Sequence, residues 1–132
     1  MAETKHSPKN VLIVEDERSL AEALRDKFIR LGYHTSVAYD GKDGLDVALA
    51  THPDILLVDL IMPKMTGMEM LTVLRKDPWG ETVPAVILTN LSVDSGDLIR
   101  GVVEVKPVYY LVKSDWSLGE IAEKVGDIVQ GS

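Results

Sequence analysis

Residues 54–67 have the sequence Asp-Ile-Leu-Leu-Val-Asp-Leu-Ile-Met-Pro-Lys-Met-Thr-Gly, and this stretch decides the fold. Ile55–Val58 is a run of β-branched and leucine side chains, which is typical of a strand buried on both faces. Asp59 follows the run directly, and Pro63 disfavours helical geometry at the residue before it. Gly67 supplies backbone freedom where an amphipathic segment begins. The stretch therefore predicts a buried strand that ends in a carboxylate and a loop, where open α/β sheets bind their ligands.

Strands and helices alternate along the chain. The predicted strands are Val11–Val14, His34–Ala38, Ile55–Val58, Ala85–Leu88 and Tyr109–Val112. Apolar residues recur at helical spacing in four of the intervening or following segments: Leu20, Leu24, Phe28 and Leu31; Leu45, Ala48 and Leu49 from Gly44 onward; Met68, Leu71, Val73 and Leu74; and Leu118, Ile121, Val125 and Ile128. Because the strands lack polar alternation, we expect an α/β fold with a doubly wound, five-stranded parallel sheet. The predicted strand order is 2-1-3-4-5, the flavodoxin-like arrangement.

The segment between Ser92 and Pro107 fits this pattern poorly. A helix is expected there, but Gly96 and Gly101 are weak helix formers and the valines of 102–105 favour strands. We therefore expect five helices, of which the fourth is short or irregular.

Length and composition limit the function classes. A chain of 132 residues fits one domain, which we place at residues 10–130 after a disordered tail at 1–9, with nothing left for a second domain. The net charge of −7 argues against nonspecific nucleic-acid binding. The chain has no cysteine for a disulfide and no apolar run near the roughly 18 residues of a membrane span. Because the N-terminus lacks the apolar core of a signal peptide, cytoplasmic localisation is expected.

Polar residues follow the predicted strands where their carboxyl ends should meet. Glu15 and Asp16 follow the first strand, Asp59 the third, Thr89 the fourth and Lys113 the fifth. Clustered carboxylates with no sulfur or imidazole nearby suit Mg²⁺. A hydroxyl and an ammonium at the same edge are suited to binding phosphoryl oxygens. The pattern predicts that Asp59 attacks phosphorus while Mg²⁺ and Lys113 offset the negative charge. Taken singly, each residue also has an ordinary structural interpretation, such as a helix cap or a solvated charge.

The Asp-x-x-Met-Pro-x-Met-x-Gly pattern of residues 59–67, together with these strand-end residues, resembles the receiver domains of response regulators over residues 9–129. The resemblance implies that Asp59 is the phosphorylation site, that Lys113 is the family's lysine, and that Thr89 and Tyr110 are the switch residues. It implies a Mg²⁺ site formed by Asp16, Asp59 and the carbonyl of Ile61, with Glu15 assisting through water or charge.

The resemblance also implies a function. The domain would accept a phosphoryl group from a sensor histidine kinase or phosphotransfer protein and then switch its surface toward an unknown downstream protein. It would be a single-domain protein or an excised receiver, catalysing only its own phosphorylation and dephosphorylation. No membrane or direct nucleic-acid partner is expected. The alternative is a pseudo-receiver, an interaction module that acts without phosphorylation.

Ser114, Ile61 and Leu91 depart from the family pattern, and Ile61 also argues against a rival enzyme class. Ser114 follows Lys113 where proline is usual, whereas Lys106 is followed by Pro107. Lys106 is therefore a rival candidate for the family's lysine. We reject it because too few residues separate it from Thr89 to form a helix, a loop and a strand. Ile61 stands where an aspartyl-phosphate phosphatase of the haloacid dehalogenase type needs a second aspartate. Ile61 and Leu91 are also apolar where the family flanks its hydrolytic water, which predicts a long-lived phosphorylated state.

Overall fold

Five parallel strands form one sheet in the computed structural model of the chain, which describes residues 9–62, 64–89 and 108–130, without the side chains of Val108, Tyr110 and Ser114. The strand order is β2-β1-β3-β4-β5, so the predicted order is confirmed. The bounds are β1 (Asn10–Val14), β2 (His34–Ala38), β3 (Ile55–Asp59), β4 (Ala85–Thr89) and β5 (Val108–Val112).

Helices cover both faces of this sheet. The described helices are α1 (Arg18–Arg30), α2 (Gly41–Thr51), α3 (Gly67–Leu74) and α4 (Leu118–Val129), with a 3-10 turn at Lys113–Asp115. Successive strand residues point to opposite faces, so Leu56 and Val58 pack with α2 and α3 while Ile55 and Leu57 pack with α1 and α4. The continuous apolar runs of the central strands are thus explained by burial on two sides.

The helix boundaries differ from the prediction in one place. We expected α2 to begin near Gly44, but it begins at Gly41, because the Asp40 side chain accepts a hydrogen bond from the backbone N–H of Asp43 at 2.8 Å and caps the helix. The end of α1 is as expected: Gly32 has φ +97°, and the N–H of Tyr33 donates to the carbonyl of Phe28, which closes a Schellman motif.

Three residues of the expected apolar stripes are exposed. Leu31 is 54% exposed beyond the last turn of α1, Leu49 is 37% exposed on α2, and Val73 is 42% exposed on α3, where Met70 is buried instead. The remaining buried positions of these helices keep the three- and four-residue spacing.

Several sequence predictions lie outside the described residues. These are the tail at residues 1–8, the irregular helix between Ser92 and Pro107, Leu91 and the rejected Lys106. The domain limits at 10 and 130 stay a prediction. Within the described part of the chain, no helix has the length and apolarity to cross a bilayer.

Candidate functional site

The parallel register brings the carboxyl ends of the central strands to one edge. Val14 pairs with Val58, Asp59 pairs with Leu88, and Thr89 pairs with Val112. The residues that end these strands or follow them therefore share one small region. This is the edge where the sequence placed the candidate site.

Glu15 is fixed from three directions. It is 2% exposed, and its backbone N–H donates to the carbonyl of Ala38 at the end of the neighbouring strand. Its Oε2 accepts a hydrogen bond from the backbone N–H of Glu17, and its Oε1 lies 3.0 Å from Nζ of Lys113. Glu15 thus joins the start of α1 to the end of β5. The sequence predicted only that Glu15 assists metal binding, so this structural role was missed.

Lys113 forms ion pairs with two carboxylates. Its Nζ lies 3.0 Å from Oε1 of Glu15 and 3.4 Å from Oδ2 of Asp59, and its side chain is 14% exposed. Burial alone would lower the pKa of Lys113, but the charges and hydrogen bonds of the two carboxylates outweigh it and raise the pKa. The ammonium therefore stays protonated at neutral pH.

Asp59 is the carboxylate that this environment destabilises. Burial raises its pKa, the nearby charge of Glu15 raises it further, and Lys113 offsets only part of this, which leaves the pKa of Asp59 at about 7. A buried acid with so strongly raised a pKa is more typical of a functional site than of a structural ion pair.

The acidic residues can hold a metal ion. One carboxylate oxygen from each of Glu15, Asp16 and Asp59 lies within 4.8 Å of the other two. Asp16 is exposed to solvent, while Oε1 of Glu15 is buried and, within the described residues, accepts no hydrogen bond beyond its ion pair with Lys113. Carboxylate oxygens alone, with one open side, suit a small hard cation such as Mg²⁺.

The remaining candidate residues are described less completely. Thr89 ends β4 with 1% exposure, beside Asp59 on the adjacent strand. The backbone of Tyr110 lies in β5 opposite Ile87, but its side chain is outside the described part. Ile61 lies two residues beyond Asp59 with a side chain that is half-exposed. That the carbonyl of Ile61 binds the metal stays a prediction. The switch roles of Thr89 and Tyr110 also stay predictions.

The loop between β3 and α3 is packed tightly beneath the site. A Cβ at Gly67 would overlap the carbonyl oxygen of Asp59. The start of α3 therefore lies so close to the end of β3 that only a glycine fits at position 67. Thr66 and Glu69 form a capping box that begins α3 at this point.

Two further residues beside the site were missed in the sequence. Nζ of Lys64, in this loop, lies 3.4 Å from Oδ2 of Asp40 at the start of α2. An aspartate before a helix is a recognisable capping signal, so Asp40 could have been found. Nothing in the sequence indicates the positive φ of Lys64, because lysine seldom adopts it.

Known proteins that are similar to this chain include response regulators and their receiver domains. The family model of the response regulator receiver domain matches residues 11–125. The response regulator ArlR of Staphylococcus aureus is 36% identical over 91 residues, which are 69% of this chain and 40% of that protein. The chain therefore spans less than half the length of this curated relative.

Solved structures of similar fold cover nearly the whole chain. The receiver domain of the Francisella response regulator 1452 has a TM-score of 0.79 at 29% identity, covering 92% of this chain and 97% of that one. The signal receiver domain of a signal transduction histidine kinase from Syntrophus aciditrophicus has a TM-score of 0.82 at 27% identity, covering 93% and 91%.

Proposed function

Because this chain belongs to the response regulator receiver domain family, we propose that it accepts a phosphoryl group on Asp59 from the phosphohistidine of a sensor histidine kinase or a phosphotransfer protein. The observation that supports this best is the pairing of Lys113 with both Glu15 and Asp59, at 3.0 and 3.4 Å, beside the acidic group. A nucleophilic carboxylate, a fixed positive charge and a cation-binding group are what phosphoryl transfer requires.

The transfer has a simple balance of bonds. A carboxylate oxygen of Asp59 forms a bond to phosphorus, the phosphorus–nitrogen bond of the donor breaks, and the imidazole leaves with the bonding electrons. Asp59 must be ionised to act as the nucleophile, and its raised pKa of about 7 works against this. Glu15, Asp16 and Asp59 would hold Mg²⁺. When bound, the ion would lower the pKa of Asp59 and offset the charge on the phosphoryl oxygens.

Lys113 and Glu15 have complementary roles in this proposal. Lys113 supplies a positive charge to the phosphoryl oxygens, and its contact with the buried carboxylate of Glu15 keeps that charge in place before the donor arrives. Phosphorylation would then shift a two-state equilibrium, with Thr89 drawn to the phosphoryl group and Tyr110 moving inward, and so change the surface offered to a downstream protein.

A receiver domain of a response regulator is a signalling domain rather than a classical enzyme, and such domains interact with histidine kinases. We limit the proposed catalysis to the domain's own phosphorylation and dephosphorylation, and we place it in the cytoplasm. The net charge of −7 supports the absence of nonspecific nucleic-acid binding by this segment.

Phosphorylation with a small donor tests the proposal directly. The protein is incubated with Mg²⁺ and acetyl phosphate, and the intact mass is measured for wild type and for Asp59→Asn. We expect wild type to gain one phosphoryl group and Asp59→Asn to gain none. Asp54→Asn, which changes the acid at the other end of β3, serves as a control that should be modified like wild type. If wild type is not modified by acetyl phosphate or by a histidine kinase, the pseudo-receiver interpretation replaces this one.

A further inference from the structure

The loop from Leu60 to Gly67 is held at its base by backbone hydrogen bonds. The N–H of Leu60 donates to the carbonyl of Leu88 at 3.1 Å, and the N–H of Gly67 donates to the carbonyl of Leu60 at 2.9 Å. These bonds close the two ends of the loop on each other. They fix where the loop leaves and rejoins the structure.

Lys64 and Met65 of this loop contact the start of α2. Nζ of Lys64 lies 3.4 Å from Oδ2 of Asp40, whose other oxygen accepts the capping hydrogen bond from Asp43. A Cβ at Gly41 would overlap the carbonyl oxygen of Met65, so the loop backbone lies directly against the first residue of α2. The side chain of Asp40 is 12% exposed, whereas that of Lys64 is 68% exposed.

The backbone of Lys64 is strained. Its φ of 70° lies in the left-handed region, which glycine adopts more easily than lysine. Such strain persists only where the surroundings enforce it, and it concentrates at functional sites. A glycine at position 64 would adopt this φ more easily, but it could not form the ion pair that Lys64 forms with Asp40.

We propose that Asp40 and Lys64 form a clasp that positions the β3–α3 loop, and with it the backbone that follows Asp59, for Mg²⁺ binding. The inference rests on the proposed function, because it assigns these residues to the metal site of the phosphoacceptor. They are positioning residues and contact neither the ion nor the phosphoryl group. Since an exposed ion pair changes an equilibrium little, the effect should be seen in the local order of the loop rather than in overall stability.

The substitution Lys64→Gln separates positioning from simple electrostatics. Loss of a positive charge near a divalent cation would by Coulomb's law tighten Mg²⁺ binding. Loss of the clasp should instead weaken it, by about two- to five-fold, the range expected from an exposed ion pair. Lys42→Gln is the matched control: Lys42 lies on α2, pairs with Asp46 at 2.8 Å, is 59% exposed and gives the same charge change.

Two measurements are made on each protein. Mg²⁺ alone is titrated with backbone NMR shifts as the readout, and amide hydrogen exchange of Gly67 is followed in the metal-free protein. We expect Lys64→Gln to weaken Mg²⁺ binding and to speed the exchange of Gly67, with Lys42→Gln leaving both unchanged. Lys64→Gly should also weaken binding while keeping or raising the melting temperature, because it relieves the strained φ.

The outcomes separate the clasp from the proposed function. If wild type binds Mg²⁺ and Lys64→Gln changes neither affinity nor Gly67 exchange, the clasp is wrong and the proposed function stands. If Lys64→Gln tightens binding, the pair acts only through its charge and the clasp is again wrong. If wild type neither binds Mg²⁺ nor becomes phosphorylated, the proposed function is wrong. The clasp, which is proposed to position the loop for Mg²⁺ binding, is then wrong as well, whatever the exchange rate of Gly67.

Discussion

Single residues at the sheet edge show how three buried or partly buried charges are kept together. A buried charge is costly unless it is paired, and Glu15 and Lys113 meet this requirement with each other at 3.0 Å. Asp59 lies slightly farther from Lys113, at 3.4 Å, and close to the negative charge of Glu15. The environment therefore favours the charged form of Lys113 and raises the pKa of Asp59.

The raised pKa of Asp59 predicts a pH-dependent stability in metal-free buffer. Because the folded protein holds this proton up to a pKa of about 7, against 3.8 for an ordinary aspartate side chain, folding stability should fall as the pH rises from about 4 to 7. Asp59→Asn cannot lose a proton and should escape this loss. We expect it to exceed wild type by about 1–3 kcal/mol at pH 8, less than the full shift implies because solvent screens part of the charge, and to match it near pH 4.

Urea denaturation with a chelator present, at several pH values, measures this difference. Asp26→Asn, at a side chain that is 58% exposed, is the control and should follow wild type at every pH. A gap between Asp59→Asn and wild type that is the same at pH 4 and pH 8 would contradict the raised pKa.

The apolar side chains of Ile61 and Leu91 predict a slow loss of the phosphoryl group. Neither can hydrogen-bond a water molecule or orient it for attack on the aspartyl phosphate. Ile61 lies half-exposed two residues beyond Asp59, while Leu91 is outside the described residues. We expect the double variant Ile61→Asn, Leu91→Glu to lose the phosphoryl group about tenfold faster, a modest effect because the new groups only orient the water.

Decay of the phosphorylated protein with Mg²⁺ present, followed by intact mass, gives both rates. Leu49→Asn, an apolar-to-polar change at an exposed position of α2, controls for the loss of surface leucine. Equal decay of the double variant and wild type would show that these two positions do not control hydrolysis.

Among the elements, the central strands were predictable and the helix starts less so. Residues 55–58 are apolar because both faces of β3 are covered, and this leaves a plain signal in the sequence. The start of α2 contains Gly41 and Gly44, and isolated glycines disfavour a helix, so the sequence does not indicate that the helix begins at Gly41. In the folded chain a Cβ at Gly44 would overlap the side chain of Val14, so close packing against β1 requires the glycine there and overrides its poor propensity.

The same limit applies to the site. Asp59, Glu15 and Lys113 could be found because each stands at or just after the end of a strand, and parallel strands place these ends together. The pairing of Lys64 with Asp40 depends on how a loop folds back on a helix. Strand and helix periodicity carry no information about that contact.

Gly67 offers a test of the close approach between β3 and α3. Gly67→Ala places a methyl group against the carbonyl oxygen of Asp59 and should lower the free energy of unfolding by about 1–3 kcal/mol. Gly119 lies in the first turn of α4, where a Cβ would meet, among the described residues, only Oγ of Ser117 at 3.9 Å. Gly119→Ala should therefore be neutral or stabilise by up to about 1 kcal/mol. Denaturation curves of both variants decide this, and equal effects would mean that position 67 is not crowded.

The whole molecule links the site to the fold. One sheet is covered by α2 and α3 on one face and by α1 and α4 on the other, and each face has its own apolar cluster. The candidate site draws its carboxylates and its lysine from the ends of β1, β3 and β5, which are distant in sequence. The site therefore exists only in the assembled sheet, and a ligand that binds it must stabilise the entire domain.

Mg²⁺ should consequently raise the melting temperature. At one hundred times its dissociation constant a ligand adds about 2.7 kcal/mol, which for a domain of this size is roughly 10 °C. Loss of a residue that merely supports a metal ligand typically weakens metal binding by about 10–100-fold. Asp16→Asn removes an expected ligand, so it should weaken Mg²⁺ binding at least tenfold. The rise in melting temperature should then be roughly half that of wild type. Glu22→Gln, an exposed acid on α1, should keep it. Thermal melts with and without Mg²⁺ give the comparison. A full rise in Asp16→Asn would show that the ion binds elsewhere, because only binding at the sheet edge makes the gain depend on Asp16.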